Sequence, residues 1–257
     1  MLYFIICAAV SVIGSVSGIG GGIIIKPLMD SFGVLSIPAI NFLSGCTVLC
    51  MSGISLLFKE EDVKIQKKVS VYLAAGASTG GIAGKELFHL IYERANIQKL
   101  IGALQTSLLL SINIGILLYL FFKKSIKQKV ICNFVIYIII GFGLGLISSF
   151  LGIGGGPINV IVLGYLFSMN PKEISLNSLF IIFCSQTASL IYSVMTKTVP
   201  VFQWRTLAVM CAGGIAGAVT GRLISKKIDK NAVEYLFICV VILLIALNIF
   251  NLSSMSH

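Results

Sequence analysis

The chain of 257 residues has little charge, and this shortage decides its class. Only 11% of its residues are charged and 57% are hydrophobic, whereas soluble domains average about 25% charged and about 45–50% apolar residues. So few charges cannot cover the surface of a water-soluble globule. The apolar residues form long runs, for example at 100–122 and 232–250, and about 20 apolar residues cross a bilayer as a helix. The sequence therefore predicts an all-α integral membrane protein.

Acidic residues and histidines are also scarce, which argues against several kinds of site. The nine acidic residues lie between apolar runs or at their ends, so no run has at its centre the carboxylate that a cation carrier usually needs. Neither of the two histidines lies within an apolar run, and the seven cysteines lack the spacing of a metal site or a disulfide framework. We therefore expect no metal and no cofactor, and an intramembrane enzyme is disfavoured.

Positive charge, in contrast, is in excess, with 19 Lys and Arg and a net charge of +10. The basic residues gather in short connections at 59–68, 123–129 and 222–230, as they do in the cytoplasmic loops of membrane proteins. The partner that this pattern predicts is the lipid bilayer, not nucleic acid. The N-terminus lacks the positively charged region of a cleaved signal peptide, so the first run should remain in the membrane. We expect the chain to cross a cell membrane several times, and we expect this membrane to be a bacterial plasma membrane.

One glycine motif occurs twice in this apolar sequence. GIGGG stands at 18–22 and again at 152–156, and each copy lies inside a long apolar run. Consecutive glycines in a helix cost about 1 kcal/mol each relative to alanine, and glycine adopts backbone conformations that other residues avoid. Both motifs should therefore interrupt a helix at membrane depth. The glycines concerned are Gly20, Gly21, Gly22, Gly154, Gly155 and Gly156.

Further matches at nearly the same spacing indicate an internal duplication. Cys50 and residues 55–58 fall on Cys184 and residues 189–192, and residues 80–84 match residues 213–217. Internal repeats are typical of secondary transporters. We predict two homologous repeats of four helical elements, at 1–125 and 126–257, each beginning with a glycine-broken helix. The elements are expected near 2–35, 38–58, 69–91, 98–122, 130–169, 174–196, 204–224 and 231–250.

The basic residues favour an inverted arrangement of the two repeats. If every element crossed the membrane once, Lys and Arg would divide ten to nine between its two sides. If each broken element is instead a re-entrant hairpin, the second repeat is inverted and thirteen of these residues share one side. The second arrangement satisfies the positive-inside rule. It places both termini outside.

Broken helices within a bilayer need a reason, because irregular backbone is tolerated there only in contact with protein or with a wet cavity. A helix that starts at a break presents free N–H groups and a positive dipole end, which favour an anion. A dipole contributes up to about 2 kcal/mol, less than the roughly 2.5–3.5 kcal/mol that one charge costs at the bilayer centre. An anion site at the two breaks therefore needs other donors. The candidates are Asn41, Ser44, Asn177, Ser178, Ser185, Gln186 and Thr187, with Ser148 and Ser149 weaker.

Other glycines and two basic residues of the sequence have expected roles outside the anion site. Small residues also allow helices to pack closely, and we expect this role for Gly80, Gly84, Gly213, Gly217 and Gly221. Lys26 is the cation nearest to a motif, and snorkelling to the membrane surface is favoured over contact with a substrate. His89 lies among charged residues and should be solvated.

The duplicated G-x-G-G-G in a chain of this length, with two four-element halves, resembles the sulfite exporter TauE/SafE family over essentially the whole chain. Pro27 and the run 177–179 (NSL) add to the likeness, whereas Ile161 and Asn41-Phe42 depart from it. The resemblance implies transport of sulfur-containing or related small anions, sulfite and organosulfonates among them, often outward. Together with the two repeats, it leads us to predict a secondary transporter that works by alternating access around the two breaks.

Three alternatives are compatible with the same residues. The chain could be an anion channel, or a carrier of another small organic anion. From a different class, it could be a membrane assembly subunit or an enzyme that uses its glycines for packing alone. The expected partner is a small anionic substrate, and a homo-oligomer is compatible with the sequence.

Overall fold

A computed structural model describes residues 1–32, 35–58, 63, 65–94, 98–122 and 133–255. The described residues form ten helices and no strand. The helices are α1 (Leu2–Ser17), α2 (Gly22–Phe32), α3 (Ile37–Leu57), α4 (Lys67–Arg94), α5 (Gln98–Phe122), α6 (Phe134–Leu151), α7 (Gly156–Phe167), α8 (Pro171–Met195), α9 (Trp204–Ser225) and α10 (Lys230–Met255). The expected boundary between the halves, at 125–126, lies outside the described residues.

Six of these helices are long and apolar enough to cross a membrane, namely α3, α5, α6, α8, α9 and α10. Large apolar side chains cover the outside of the molecule, as a surface in contact with lipid requires. Examples are Phe121, Ile139, Trp204, Tyr235 and Phe250, each more than half exposed. The prediction of an all-α membrane protein is confirmed, and the six elements without a break lie within a few residues of their expected bounds.

Both GIGGG motifs separate two helices. We call residues 18–22 the first break, between α1 and α2, and residues 152–156 the second break, between α6 and α7. Gly18 and Gly152 have φ of 76° and 69°, and Gly20 and Gly154 have φ of 73° and 78°. A residue with a side chain costs about 1–2 kcal/mol in this left-handed conformation. Glycine is therefore the residue that allows the chain to leave each helix here.

Two pairs of helices pack through rows of glycines spaced four apart. A Cβ on Gly76, Gly80 or Gly84 of α4 would overlap the carbonyl oxygens of Ile138, Phe142 and Leu146 of α6. A Cβ on Gly213, Gly217 or Gly221 of α9 would overlap those of Phe4, Ala8 and Val12 of α1. In each pair the residue numbers rise together, so the two helices run parallel. The packing role expected for these glycines is confirmed.

The same contacts give a second spacing between α4 and α9. The sequence match pairs Gly80 with Gly213, at an offset of 133 (213 − 80). In the structure Gly80 contacts Phe142 and Gly217 contacts Ala8, and these partners are 134 apart (142 − 8), the spacing of the two GIGGG motifs. Through these contacts, Gly80 is placed against α6 as Gly217 is placed against α1, at an offset of 137 (217 − 80). The internal duplication itself stays a prediction.

Candidate functional site

The two breaks lie against each other in the interior. A Cβ on Gly22 would come within 2.6 Å of the carbonyl oxygen of Ile153, and one on Gly156 would overlap the carbonyl oxygen of Ile19. Both isoleucines are fully buried. The structure thus brings the two glycine triplets together, away from lipid, and the close approach requires glycine at both crossing positions.

Two of the candidate hydroxyl groups support the breaks. Ser178 Oγ on α8 donates to the carbonyl oxygen of Gly18 at 2.7 Å, and Ser44 Oγ on α3 donates to that of Gly152 at 3.2 Å. The two serines are 134 apart, as are the two glycines. Because each hydroxyl is engaged with a carbonyl that the broken helix leaves unpaired, Ser44 and Ser178 stabilise the turns.

The side chains around the first break are apolar. A Cβ on Gly21 would meet Val10, Ile25 and Met51, and a Cβ on Gly20 would meet Ile182 and Val48. No polar side chain of the described residues is among these nearest neighbours. Gly20 and Gly21 of the first break are therefore surrounded by apolar side chains, and the hydroxyl of Ser178 is engaged with Gly18 at the edge of the break.

The second break borders a small, partly polar crevice that is too narrow for a water molecule in this conformation, which we call the closed pocket. Its lining includes Ser148, Gly154, Gly155, Asn159 and Ser185. Ser148 Oγ and Asn159 Oδ1 are buried and have no hydrogen-bond partner among the described residues. Ser185 Oγ donates to the carbonyl oxygen of Ala77 at 2.9 Å. Buried polar groups normally have partners, so these two unpartnered groups, one on α6 and one on α7 and both beside Gly155, favour a binding role.

A larger space, which we call the open cavity, lies close to the closed pocket. Chain neighbours of Ser148 and Ser185 line it. Its volume is about 70 Å³, enough for about two water molecules at about 30 Å³ each or for one small oxyanion in their place. Its lining includes residues of or near the second break, namely Asn41, Ser149, Gly152 and Gln186, and the side chains of Lys85, Glu86, His89 and Tyr192. His89 is half-buried in this lining, and its expected solvated position stays a prediction.

Among the described residues, the lining of the open cavity has one lysine, Lys85, and one acid, Glu86. Lys85 Nζ donates to the carbonyl oxygen of Ser189 at 3.5 Å and lies 5.5 Å from the centre of the Phe42 ring. The nearby acid, Glu86, accepts a hydrogen bond from the hydroxyl of Tyr192 at 2.5 Å. The lining thus contains a cation, Lys85, that can pair with an oxyanion, beside an acid, Glu86, that is engaged with Tyr192.

Asn41 and Gln186 bring amide groups to the same place. Both side-chain atoms of Asn41 are buried without a hydrogen-bond partner among the described residues, and the side chain lies directly against Gly152. The side chain of Gln186 lies between the backbone of α3 and that of the second break. Its Oε1 is 3.0 Å from a Cβ position on Gly45, and its Nε2 is 3.6 Å from one on Gly154. The amides of Asn41 and Gln186 are thus placed between the open cavity and the second break.

Asn177 has a different place. Its Oδ1 accepts hydrogen bonds from Gln66 N at 2.8 Å and Ser70 Oγ at 2.5 Å, and its Nδ2 donates to the carbonyl oxygen of Glu173 at 2.7 Å. These contacts join α8 to the beginning of α4. Thr187 Oγ1 donates to the carbonyl oxygen of Phe183 in its own helix at 2.7 Å. The structure does not bring these two side chains to the glycine triplets.

Lys26 does not snorkel to the surface, and that prediction is wrong. The side chain is 2% exposed, and its Nζ donates to Gln105 Oε1 and to the carbonyl oxygen of Leu151, both at 2.6 Å. Gln105 Nε2 donates in turn to the carbonyl oxygen of Phe150 at 2.6 Å. A cation at a helix C-terminus is favourable because it faces the negative end of the dipole. Lys26 and Gln105 therefore fix the end of α6, directly before the second break.

Sequence reasoning did not select Lys85, Asn159 or Tyr192. A signal for Lys85 exists, because it directly follows the last glycine of the row in α4, at the point where that helix faces α8. Asn159 is an amide within the apolar run that follows the second motif. Tyr192 carries no sequence signal, because only the packing of α8 against α4 brings it to Glu86.

Comparison with known proteins gives one match. The family model described as Sulfite exporter TauE/SafE matches residues 3–248. Among curated proteins and among solved structures, no significant match was found.

Proposed function

Because the chain belongs to the TauE/SafE sulfite exporter family, we propose that it carries a small sulfur-containing oxyanion, sulfite or an organosulfonate, outward across the membrane. The family is one of membrane transporters and not of enzymes. Membership implies an exporter-type transporter of sulfite or related sulfur anions. The substrate, the site and the mechanism described below are our proposals.

One observation carries the proposal for the site. The open cavity joins a lysine, Lys85, to an amide without a partner, Asn41, next to the second break. Hydrogen bonds between charged groups and oxyanions are about twice as strong as neutral ones. The start of α7 adds a positive dipole end. An oxyanion in the open cavity would complete the hydrogen bonding of Asn41 and balance the charge of Lys85.

The closed pocket is the next position on the proposed path. Ser148 and Ser185 line the closed pocket, and their chain neighbours Ser149 and Gln186 line the open cavity. Between them, Ser149 Oγ and Ser189 Oγ form a hydrogen bond of 3.0 Å. An anion that passes Gln186 and this serine pair reaches Ser148 and Asn159, whose polar groups need partners. The two spaces therefore form successive stations for one solute.

The helix directions support inverted repeats with re-entrant breaks. Where α4 contacts α8, the residue numbers rise together along the two helices, from Ser70 with Asn177 to Glu86 with Tyr192. The helices α4 and α8 therefore run parallel, and α6 is parallel to α4. Since α6 and α8 point the same way, α7 between them must return, which makes a hairpin at the second break. In the pair α3 and α8, which correspond between the halves, Gly45 lies by Leu190 and Gly53 by Phe183. These helices are antiparallel, as inverted repeats require.

Orientation follows from the positive-inside rule. With the basic connections at 59–68, 123–129 and 226–230 in the cytoplasm, α4 runs outward and Lys85 lies in its outer half. The open cavity then faces the outside. Alternating access requires a second conformation in which this cavity closes and a path opens from the cytoplasm.

The proposal is tested with purified protein in liposomes. Binding is measured for sulfite, sulfate, thiosulfate, sulfoacetate and acetate by thermal stabilisation, and sulfite counterflow is measured in parallel. Lys85→Gln should weaken sulfite binding about tenfold or more, since hydrogen bonds to charged groups contribute about 1.5–3 kcal/mol. Lys67→Gln, which removes an exposed lysine at the other end of α4, is the control and should bind sulfite normally.

Three results would contradict the proposal. Current without counterflow would identify a channel. Stabilisation by acetate alone would indicate a different organic anion. A protein without binding or flux, in which Lys85→Gln changes nothing, would support the assembly subunit.

A further inference from the structure

The lysine of the open cavity has a counterpart at the other end of the molecule. Because the contacts relate α4 to α9 at an offset of 137 (221 − 84), Lys85, which follows Gly84, corresponds to Arg222, which follows Gly221. We propose that Arg222 is the centre of a second oxyanion site, closed in this conformation, where the same solute binds from the opposite membrane face. This inference rests on the transport function proposed above.

Polar residues recur around Arg222 at the spacing of the repeats. At an offset of 134, Ser149 of the open cavity corresponds to Ser15, Asn41 to Ser175 and Ser189 to Ser55. Ser15 Oγ lies against the Cβ position of Gly221, directly before Arg222. Ser175 Oγ donates to the carbonyl oxygen of Val16 at 3.0 Å, and its backbone lies against Gly18. Each of these three positions of the open cavity therefore has a serine as its counterpart in the other half.

The hydroxyl groups of this second set are deeply buried. Ser15 and Ser55 are fully buried, and Ser55 Oγ has no hydrogen-bond partner among the described residues. A buried polar group without a partner costs about 1–3 kcal/mol, which an apolar residue of similar size would avoid. A ligand that binds Ser55 in another conformation would account for a serine at this position.

The two cations differ in exposure. Arg222 is 3% exposed, whereas Lys85 is half-buried and borders a cavity of about 70 Å³. Ionisable residues inside the membrane are expensive and usually mark the path of a solute. The two ends of the molecule therefore have the same kind of polar groups, with one end open and the other closed. This is the difference that an alternating-access transporter shows in any one of its states.

The chemistry of the cation indicates the class of ligand. A guanidinium group presents a planar fork that binds two oxygens of one oxyanion, whereas an ammonium group acts as a point charge. The site at Arg222 should therefore select sulfite or a sulfonate over a halide. In the proposed orientation Arg222 lies near the basic connection at 226–230, on the cytoplasmic side. It would load the anion, and the site at Lys85 would release it.

Sulfite counterflow in oriented liposomes tests the site from each face. Arg222→Gln should raise KM for sulfite on the cytoplasmic face about tenfold or more, with KM on the other face unchanged. Lys85→Gln should do the reverse. Arg222→Lys keeps the charge but loses the planar fork of the guanidinium group, and it should fold normally. Its KM for sulfite should lie between those of wild type and Arg222→Gln, and it should no longer discriminate between sulfite and chloride.

Accessibility gives a second readout that does not depend on Arg222. In a chain whose native cysteines are replaced by serine, Ser189→Cys should react with a membrane-impermeant thiol reagent from the outer face. Ser55→Cys should react from the cytoplasmic face alone, and faster during sulfite exchange than at rest. If wild type transports no sulfite, the proposed function fails. If wild type transports sulfite, but Arg222→Gln leaves both KM values unchanged or Ser55→Cys never reacts, the second site alone is wrong.

Discussion

At the first break Gly21 is surrounded by Val10, Ile25 and Met51, whereas at the second break Gly155 lies beside Ser148 and Asn159. The backbone is nearly the same in both places, with left-handed glycines at equivalent positions and one crossing glycine in each. The neighbouring side chains differ, since they are apolar at Gly21 and polar at Gly155. The comparison teaches that the glycine motif builds the turn and that the residues beside it decide whether the turn can bind a solute.

Lys26 adds to this difference. It fixes the end of α6 before the second break, and at the offset of 134 its counterpart in the other half is the apolar Val160. The second break therefore has a buried cation, two unpartnered polar groups and an adjoining cavity. The first break has none of these among its nearest described neighbours. The predicted anion site at the two breaks stays a prediction, and our proposal centres it on the second break.

The largest expected effect tests what the two breaks share. Gly22→Ala and Gly156→Ala each place a methyl group against a backbone carbonyl oxygen of the other break, and backbone cannot move aside as a side chain can. Each should lower the free energy of unfolding by about 3 kcal/mol or more, with little folded protein recovered. Size-exclusion chromatography and thermal unfolding measure this. Gly115→Ala, in open space within α5, is the control, and normal folding of either crossing variant would contradict the geometry.

The next prediction separates the breaks by strain and affinity. Gly155→Ala forces a side chain into φ of 89° and toward Ser148 Oγ, whereas Gly21 has no positive φ. Gly155→Ala should therefore cost about 1–2 kcal/mol and weaken sulfite binding, and Gly21→Ala should cost less and leave binding unchanged. Thermal unfolding with and without sulfite measures both. Equal losses of affinity in the two variants would restore a symmetrical site.

A third pair of variants exchanges the character of the breaks. Asn159→Ile gives the second break the residue that the first has at Ile25. It removes a buried acceptor without a partner, so the protein should become about 1 kcal/mol more stable while sulfite flux falls. The reverse change, Ile25→Asn, should destabilise without increasing flux. Flux at the wild-type level in a stabilised Asn159→Ile protein would exclude the closed pocket from the path.

The smallest effect concerns the serines that support each turn. Ser178→Ala removes a hydrogen bond of 2.7 Å to Gly18, and Ser44→Ala removes one of 3.2 Å to Gly152. Each should cost about 0.5–1.5 kcal/mol, with the larger loss at Ser178 because its bond is shorter. Denaturation midpoints in detergent compare the two. A larger loss at Ser44, or a loss of sulfite affinity in Ser178→Ala, would show that these hydroxyls do more than hold the turns.

Much of the fold could be predicted from the order of residues. Long apolar runs require helices, because a bilayer offers no partner for an unpaired backbone, and three glycines in a row weaken a helix wherever they occur. The interruptions at 18–22 and 152–156 and the packing glycines of α4 and α9 follow from such local properties. The offset between α4 and α9 does not, because repeated glycines match one another at several spacings.

The residues of the site were harder to predict. Asn41 and Gln186 were selected as amides in apolar runs, and the structure places both beside the second break. Asn177 had the same signal, yet it is engaged at the start of α4. Whether a polar residue in a membrane helix supports its neighbours or faces a cavity depends on the helix across from it.

The sequence by itself determined that the chain is a helical membrane protein with two interrupted segments, because hydropathy and glycine act within a few residues. Only the tertiary structure decided that the interruptions cross, that Lys85 meets Asn41 across a cavity and that Lys26 is buried at the end of α6. These facts depend on which distant helices are neighbours and on the direction in which each side chain points. The order of residues along the chain does not specify which distant helices become neighbours or where their side chains point.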